Sequence, residues 1–403
     1  MGNTKYDRRC IRRIKMIKKF LPAIIAVSLF IIFLLIPAPY IKKYIPLHTV
    51  TGEGVNLNET TFKGSEIQTE MFNDDKFYPI FGSSELEKRD PFHPAHIFKE
   101  KKIGRIPFLI GTGGSTNLIH AINIGSHSGH IEKKKIAIII SPQWFTQSGL
   151  DDNNFSARYS ELQLDRLLSS PDVSHALKSR ISQRLMNFSA TKEDAQVQLY
   201  ADGKEDESEV SSSFTGGIYE NLMEKNDIVK SKFMIPGNRF KKRQHVDLQH
   251  KSWDEIRQSA VKFGRRKATN NPYYMRNEYY DKIQKHQKKI YRHGEFDENS
   301  QEFDDLQVLL DILKESKADP LFISIPANGK WYDHINIPAA QRKPVYDKIN
   351  KQITASGFKL YDLTDKEYEP YVLSDAVHIG WKGWAYIDEQ MDNHIHNRPI
   401  TNP

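Results

Sequence analysis

Eighteen consecutive residues, Phe20 to Pro37 (FLPAIIAVSLFIIFLLIP), contain a single polar side chain, Ser28. At about 1.5 Å of rise per residue a helix of this length reaches about 27 Å, close to the roughly 30 Å hydrocarbon core of a bilayer. Immediately ahead of it stand Lys5, Arg8, Arg9, Arg12, Arg13, Lys15, Lys18 and Lys19 against Asp7 alone, a net +7 that equals the formal charge of the whole 403-residue chain. The rest of the chain therefore sums to zero. A neutral body behind a basic tip speaks for membrane topology and against a nucleic-acid surface. A cleaved signal peptide shares the basic and apolar parts but needs small residues in an A-x-A arrangement, where this chain has Pro37-Ala38-Pro39. The expected organisation is a basic cytoplasmic tip over 1–19, a transmembrane anchor over 20–38, a polar juxtamembrane stalk over 39–76 with room for one helix, and an extracytoplasmic domain over 77–403. Because basic residues stay inside, this describes a single-pass cell-membrane protein with a cytoplasmic N-terminus. Cys10 is the one cysteine and falls on the reducing side, so the domain must be stable without disulfides, and no Cys-based zinc or iron-sulfur site is possible.

Within the domain, short apolar runs recur, and each ends in residues suited to a loop: YPIFG (78–82), IPFLIG (106–111), KIAIIIS (135–141), LFISIP (321–326) and FKLYD (358–362). Runs of this length, rich in Ile, Phe and Leu and separated by helix-length intervals, predict a parallel sheet in a three-layer α/β fold. Phe303, Leu306, Leu310 and Leu313 recur at spacings of three and four, which predicts a helix over 302–316 leading into the fourth strand. A last helix is expected from about Trp384 to His394. Between the third and fourth strands lie residues 150–304, too long for a loop, which predicts a mostly helical insertion. It includes an exposed loop, GKEDESEVSSS (203–213), and a basic stretch at Lys241–Arg243.

Two motifs carry chemistry. The first strand runs into Gly82-Ser83-Ser84-Glu85, which puts a serine at the carboxyl end of a strand, where open α/β sheets bind and transform ligands. Near the C-terminus, Asp375 and His378 stand three apart, a spacing that one turn can close into a carboxylate-oriented imidazole base. Each motif alone has a plainer meaning, a Gly-Ser turn in the first case and an Asp helix cap in the second. Two histidine pairs, His93 with His96 and His127 with His130, lack the neighbouring ligands of a metal site, so no metal is expected.

Taken together, a serine after the first strand and a late Asp-x-x-His resemble the SGNH/GDSL hydrolases. The resemblance implies Ser84 as nucleophile, His378 as base and Asp375 as its orienter, with Ser83 where that superfamily usually has Asp. Oxyanion candidates are the backbone N–H groups of Ser84 and of Gly113 or Gly114 in GTGGSTN (111–117), whose glycines permit close approach. The superfamily's oxyanion Asn has no clear counterpart here. Gln143, in SPQWF (141–145), falls near its place; Asn117 and Asn328 are alternatives, and Trp144 is a candidate pocket wall.

A closer resemblance covers essentially the whole chain. The basic anchor, YPIFGSSEL, DPFHP (90–94), GTGGST, SPQWFT, IPANGKWYDH (325–334) and SDAVHIGWKGW are similar, in order, to the DltD family of teichoic acid D-alanylation. This implies a Gram-positive source and a role in placing D-alanine esters on lipoteichoic acid at the outer face of the membrane. The implied partners are a membrane-bound O-acyltransferase, lipoteichoic acid, and a carrier protein whose phosphopantetheine bears the D-alanyl group; no bound cofactor is implied. The expected chemistry is transfer through a D-alanyl ester on Ser84, with Glu85 either a seat for the substrate ammonium or a helix N-terminal residue, and Lys241–Arg243 either part of a solvated helix face or a dock for the anionic polymer. A D-alanyl-carrier thioesterase and a non-enzymatic partner that positions the polymer or the acyltransferase are the alternatives.

Overall fold

The computed structural model describes residues 4–44, 59–88, 90–203, 214–233, 246–285 and 294–402; of residues 4–18 and 214–216 only the backbone is described. The basic stretch Lys241–Arg243, residues 204–213 of the exposed loop and residues 45–58 of the expected stalk lie outside the described residues.

Five strands, β1 (Phe77–Phe81), β2 (Ile106–Ile110), β3 (Lys135–Ile140), β4 (Asp319–Ser324) and β5 (Lys359–Asp362), form one parallel sheet in the order β2-β1-β3-β4-β5. Each coincides within two residues with an apolar run in the sequence. Alternation along the strands separates two apolar layers. Phe77, Phe81, Phe108, Ile110, Ile136, Ile138, Ile140 and Phe322 face one core, and Tyr78, Ile80, Leu109, Ala137, Ile139, Leu321 and Ile323 face the other. Helices Asn117–Gly125, Glu302–Glu315 and Ala339–Ala355 cover the first face; Pro94–Glu100, Trp253–Lys267 and Trp381–Ile395 cover the second. A sheet buried on both faces explains strands that read as continuous apolar runs rather than alternating ones. The last helix starts at Trp381, three residues before its expected start, because Trp381 is buried against Phe263, with ring centroids 6.0 Å apart. Gly380 ahead of it runs so close to the Tyr371–Ser374 backbone that a Cβ would lie 2.6 Å from Tyr371 O.

The described residues of the insertion are mostly helical. Five of its helices open on a side chain that accepts a backbone N–H of the first turn: Asp151, Ser160, Ser174, Asp194 and Ser252, the last in a complete capping box with Glu255. Such caps supply partners that the first turn of a helix otherwise lacks. Residues 59–73 are not a free stalk. Helices Glu59–Lys63 and Glu66–Asn73 bury Phe62, Ile67, Met71 and Phe72 in the first core, because these four side chains give the polar segment an apolar face.

The N-terminal segment forms one helix, Thr4–Leu35, with Phe20, Leu29, Phe30 and Ile32 exposed. It breaks at Pro37, which lacks an N–H and disfavours helix in the residue before it. Among the described residues no single helix is long and apolar enough to cross a membrane; Lys19–Leu35 meets that condition only together with Ala38–Tyr44, bent from it by 100°. Insertion helix Phe214–Phe233 closes the break. Asn221 Nδ2 donates to the carbonyls of Leu34 (2.9 Å) and Ile36 (3.1 Å), its Oδ1 accepts from Ala38 N (2.8 Å), and Lys225 Nζ donates to Leu34 O (3.1 Å). A cation and an amide at a helix C-terminus satisfy carbonyls that have no partner within the helix.

Leu309 is fully buried in helix Glu302–Glu315. Leu309→Ala should cost about 2–5 kcal/mol, whereas Ser252→Ala, which removes one cap, should cost about 1 kcal/mol. Both are read as shifts in the denaturant midpoint of the detergent-solubilised chain.

Candidate active site

The strand order reverses between β1 and β3: the chain passes from β1 to β2 on one side and to β3 on the other. The crevice beyond the carboxyl ends of two such strands is where open α/β sheets place their sites. The turn after β1 brings Ser84 there, the turn after β3 brings Gln143, and the loop after β5 brings Asp375 and His378.

Ser84 Oγ lies 2.8 Å from His378 Nε2, and His378 Nδ1 lies 2.8 Å from both carboxylate oxygens of Asp375. The carboxylate can only accept from Nδ1–H, which leaves Nε2 as acceptor for the Ser84 hydroxyl. Asp375 is buried and also accepts from the backbone N–H of Val377 (3.1 Å) and of His378 (2.9 Å). Burial alone would raise its pKa, but the hydrogen bond and charge of His378, with the two N–H groups, outweigh it and hold the carboxyl below its ordinary range. The Asp-x-x-His loop is fixed from outside by Asn328, whose N donates to Ala376 O (2.9 Å) and whose Nδ2 donates to Tyr273 O (2.9 Å) and Asp375 O (3.4 Å). Asn328 also caps helix Gly329–His334 through Oδ1. Its side chain is committed to these bonds, so it positions the loop and is not an oxyanion donor.

The turn that carries Ser84 is built from below. Glu85 is 1% exposed; its Oε1 accepts from Ser83 N (2.5 Å) and its Oε2 from Ser141 Oγ (3.3 Å), so it ties the turns after β1 and β3 together. Burial raises its pKa, opposed by those donors and by His378. A carboxylate enclosed in this way cannot seat a substrate ammonium, which corrects the role expected for Glu85. Ser83, also buried, accepts from Gly114 N at 3.0 Å, joining the turns after β1 and β2. A buried His120 hydrogen-bonds the backbone of Gly82, and burial lowers its pKa to about 4, so the ring is neutral. Gly111 is required by close approach: a Cβ there, at φ +155°, would lie 1.9 Å from Gly82 O.

The expected oxyanion donors separate. Ser84 N–H has no partner among the described residues. Gly113 N–H is held by Glu87 Oε1 at 3.1 Å and Gly114 N–H by Ser83 Oγ, so neither is free in this state, contrary to expectation. Asn117 is buried at the start of its helix with its N–H on Glu302 Oε1 (2.7 Å), a carboxylate in the core, and takes no part in the site. Gln143 is buried on the short turn Pro142–Trp144 beside β1, with Trp144 next to it and partly exposed. Two residues the sequence did not single out border the site. Glu87 is one; the other is Arg158, from insertion helix Asp152–Arg158, whose Nε donates to Gly113 O at 2.5 Å. Among the described residues there is no group of three His, Cys, Asp or Glu side chains placed to hold a metal ion.

The model of the DltD protein family matches residues 54–396. Protein DltD of Staphylococcus aureus (strain NCTC 8325 / PS 47) is 40% identical over 383 residues, which cover 95% of this chain and 97% of that protein. Protein DltD of Bacillus subtilis (strain 168) is 35% identical over 387 residues, covering 95% and 98%. Protein DltD of Lacticaseibacillus rhamnosus is 25% identical over 377 residues, covering 91% and 88%.

Gly111→Ala must displace the Gly82 carbonyl and should cost about 1–3 kcal/mol while slowing acylation of Ser84 by an active-site probe. A second expectation concerns acid. Asp375 titrates lower folded than unfolded, so its stabilisation is present above the unfolded value of about 4 and is lost as pH falls through the folded one. The stability gap between wild type and Asp375→Asn should therefore be constant above about pH 5 and shrink below about pH 4, measured by denaturation across that range.

Proposed function

This chain belongs to the DltD family, which acts in the D-alanylation of teichoic acid, and we propose that its part there is acyl transfer through Ser84. The observation that carries this reading is the continuous relay from Ser84 Oγ through His378 to the buried Asp375. In the first half-reaction the Ser84 hydroxyl passes its proton to His378 Nε2 and Oγ attacks the D-alanyl carbonyl carbon. The bond from that carbon to its donor sulfur or oxygen breaks, and the leaving group takes the proton from His378. In the second, a hydroxyl of the polymer gives its proton to His378 and its oxygen attacks the same carbon; the bond to Ser84 breaks and Oγ recovers the proton. Asp375 holds the ring in the tautomer that both steps need and stabilises the imidazolium formed in each. Ser84 N–H is a ready donor for the oxyanion, and the Gln143 amide is our second candidate.

The reading extends to location and partners. In this reading the exposed apolar segment crosses the membrane as a broken span, Lys19–Leu35 with its bent continuation Ala38–Tyr44, its basic end in the cytoplasm and the sheet domain outside. There it receives the D-alanyl group by way of a membrane-bound O-acyltransferase, which draws it from a phosphopantetheine carrier protein, and delivers it to lipoteichoic acid. The domain itself binds no cofactor.

In cells that lack the chromosomal copy, Ser84→Ala and His378→Ala should each lower ester-linked D-alanine on lipoteichoic acid to the level of the deletion, with protein amounts in the membrane unchanged. Asp375→Asn should retain a trace, roughly 10⁴-fold below wild type if this triad behaves as others do. Wild-type alanylation with Ser84→Ala would assign the protein a non-enzymatic role instead.

A further inference from the structure

Two acidic side chains follow the nucleophile, and the fold turns them in opposite directions. Glu85 points into the protein and is consumed by Ser83 and Ser141. Glu87, at the end of the same short turn (Ser84–Glu87), is exposed and reaches back to the glycine loop after β2. Its Oε1 accepts from Thr112 Oγ1 (3.0 Å) and from Gly113 N (3.1 Å). Gly113 lies against the nucleophile: a Cβ built on it would be 3.4 Å from Ser84 Cβ. A carboxylate bonded to its N–H therefore stands at the rim of the reacting centre. Arg158 holds the carbonyl of the same glycine, which keeps the loop in place whatever occupies its N–H.

This arrangement creates a conflict for any acyl transfer at Ser84. The oxyanion that forms beside Ser84 needs N–H donors, yet the Gly113 donor is taken by a second anion, and two negative charges cannot share it. An acyl group with an ammonium on the carbon next to its carbonyl brings the missing countercharge to the right place. An acetyl or other uncharged acyl group does not.

We propose that Glu87 selects aminoacyl groups: it pairs with the α-ammonium of the substrate and, in moving to it, releases Gly113 N–H to the developing oxyanion. The proposal rests on the reading of Ser84 as the acyl-accepting nucleophile and adds what restricts the acyl group. Glu87 supplies specificity without transferring a proton. Its ammonium bond is made only by the correct substrate, so the binding energy is spent on assembling the oxyanion site.

The test uses the full chain in detergent micelles as wild type, Glu87→Gln, Glu87→Ala and Ser84→Ala. Three probes are applied: a phenyl thioester of D-alanine, the phenyl thioester of acetic acid, and a fluorophosphonate whose adduct is mapped by mass spectrometry. Glu87→Gln keeps an acceptor for Gly113 N–H and Thr112 but removes the charge. The ratio of D-alanyl to acetyl turnover should fall about tenfold to a hundredfold in Glu87→Gln, the range expected for a lost hydrogen bond between charged groups. Glu87→Ala should also react faster than wild type with the acetyl thioester and with the fluorophosphonate, because Gly113 N–H is free. Normal labelling of Ser84 with an unchanged D-alanyl to acetyl ratio overturns the inference and leaves the nucleophile intact. Equal slowing of all three probes in both variants makes Glu87 a structural residue only and overturns it too. Absence of a Ser84 adduct in every folded variant overturns the serine reading itself, and the inference with it.

Discussion

The hydrogen bond between Ser84 and His378 joins side chains 294 residues apart, and much of the fold can be understood as what that 2.8 Å contact requires. Two loops can meet so closely only if both leave the same edge of a rigid sheet, which the parallel order β2-β1-β3-β4-β5 provides. Each loop is then locked from behind. Glu85, Ser83 and His120 fix the serine turn, and Asn328 fixes the Asp-x-x-His loop. These partners are buried and hydrogen-bonded, so an error in one is transmitted to the contact between Ser84 and His378.

Glu85 illustrates how the same residue type serves different ends on neighbouring positions. Buried beneath Ser83, its carboxylate organises backbone donors and pays for its burial with their hydrogen bonds. Two residues on, Glu87 faces solvent and holds a donor of the glycine loop. The insertion reaches the site through Arg158 and the N-terminal helix through Asn221 and Lys225, so one helical region contacts both the rim of the crevice and the break at Pro37. That connection sets how the domain is carried on its N-terminal helix.

Much of this was legible in the sequence. Five strands announce themselves because a sheet covered on both faces must be apolar at nearly every position, and 302–315 shows the spacing of a half-buried helix. Ser84, Asp375 and His378 could be paired because a serine after the first strand and a late Asp-x-x-His together resemble the SGNH/GDSL hydrolases, whereas each motif alone has a plainer meaning. The direction of Glu85 and Glu87 could not be read: on a tight turn, burial depends on what the β3 loop places alongside, and Ser141 is remote in sequence. The glycine loop misled for a related reason. Its composition shows that N–H groups are accessible, and only the fold shows that Ser83 and Glu87 already hold two of them. Residues 59–73 read as a polar stalk because four apolar side chains are sparse among polar neighbours, although Phe62, Ile67, Met71 and Phe72 suffice to dock two short helices. Arg158 had no signal, since nothing local distinguishes it from other basic residues on the insertion.

The central claim is that a D-alanyl group resides covalently on Ser84 between donor and polymer. Membranes containing the full chain with the membrane-bound O-acyltransferase and charged carrier protein proposed as its partners, but stripped of lipoteichoic acid, would be quenched in acid and the Ser84 peptide analysed by mass spectrometry. The account predicts a D-alanyl ester on Ser84 that accumulates without acceptor, disappears when polymer is added and never forms in His378→Ala. Transfer of D-alanine to added polymer by Ser84→Ala membranes, with no ester on the wild-type serine, would contradict it.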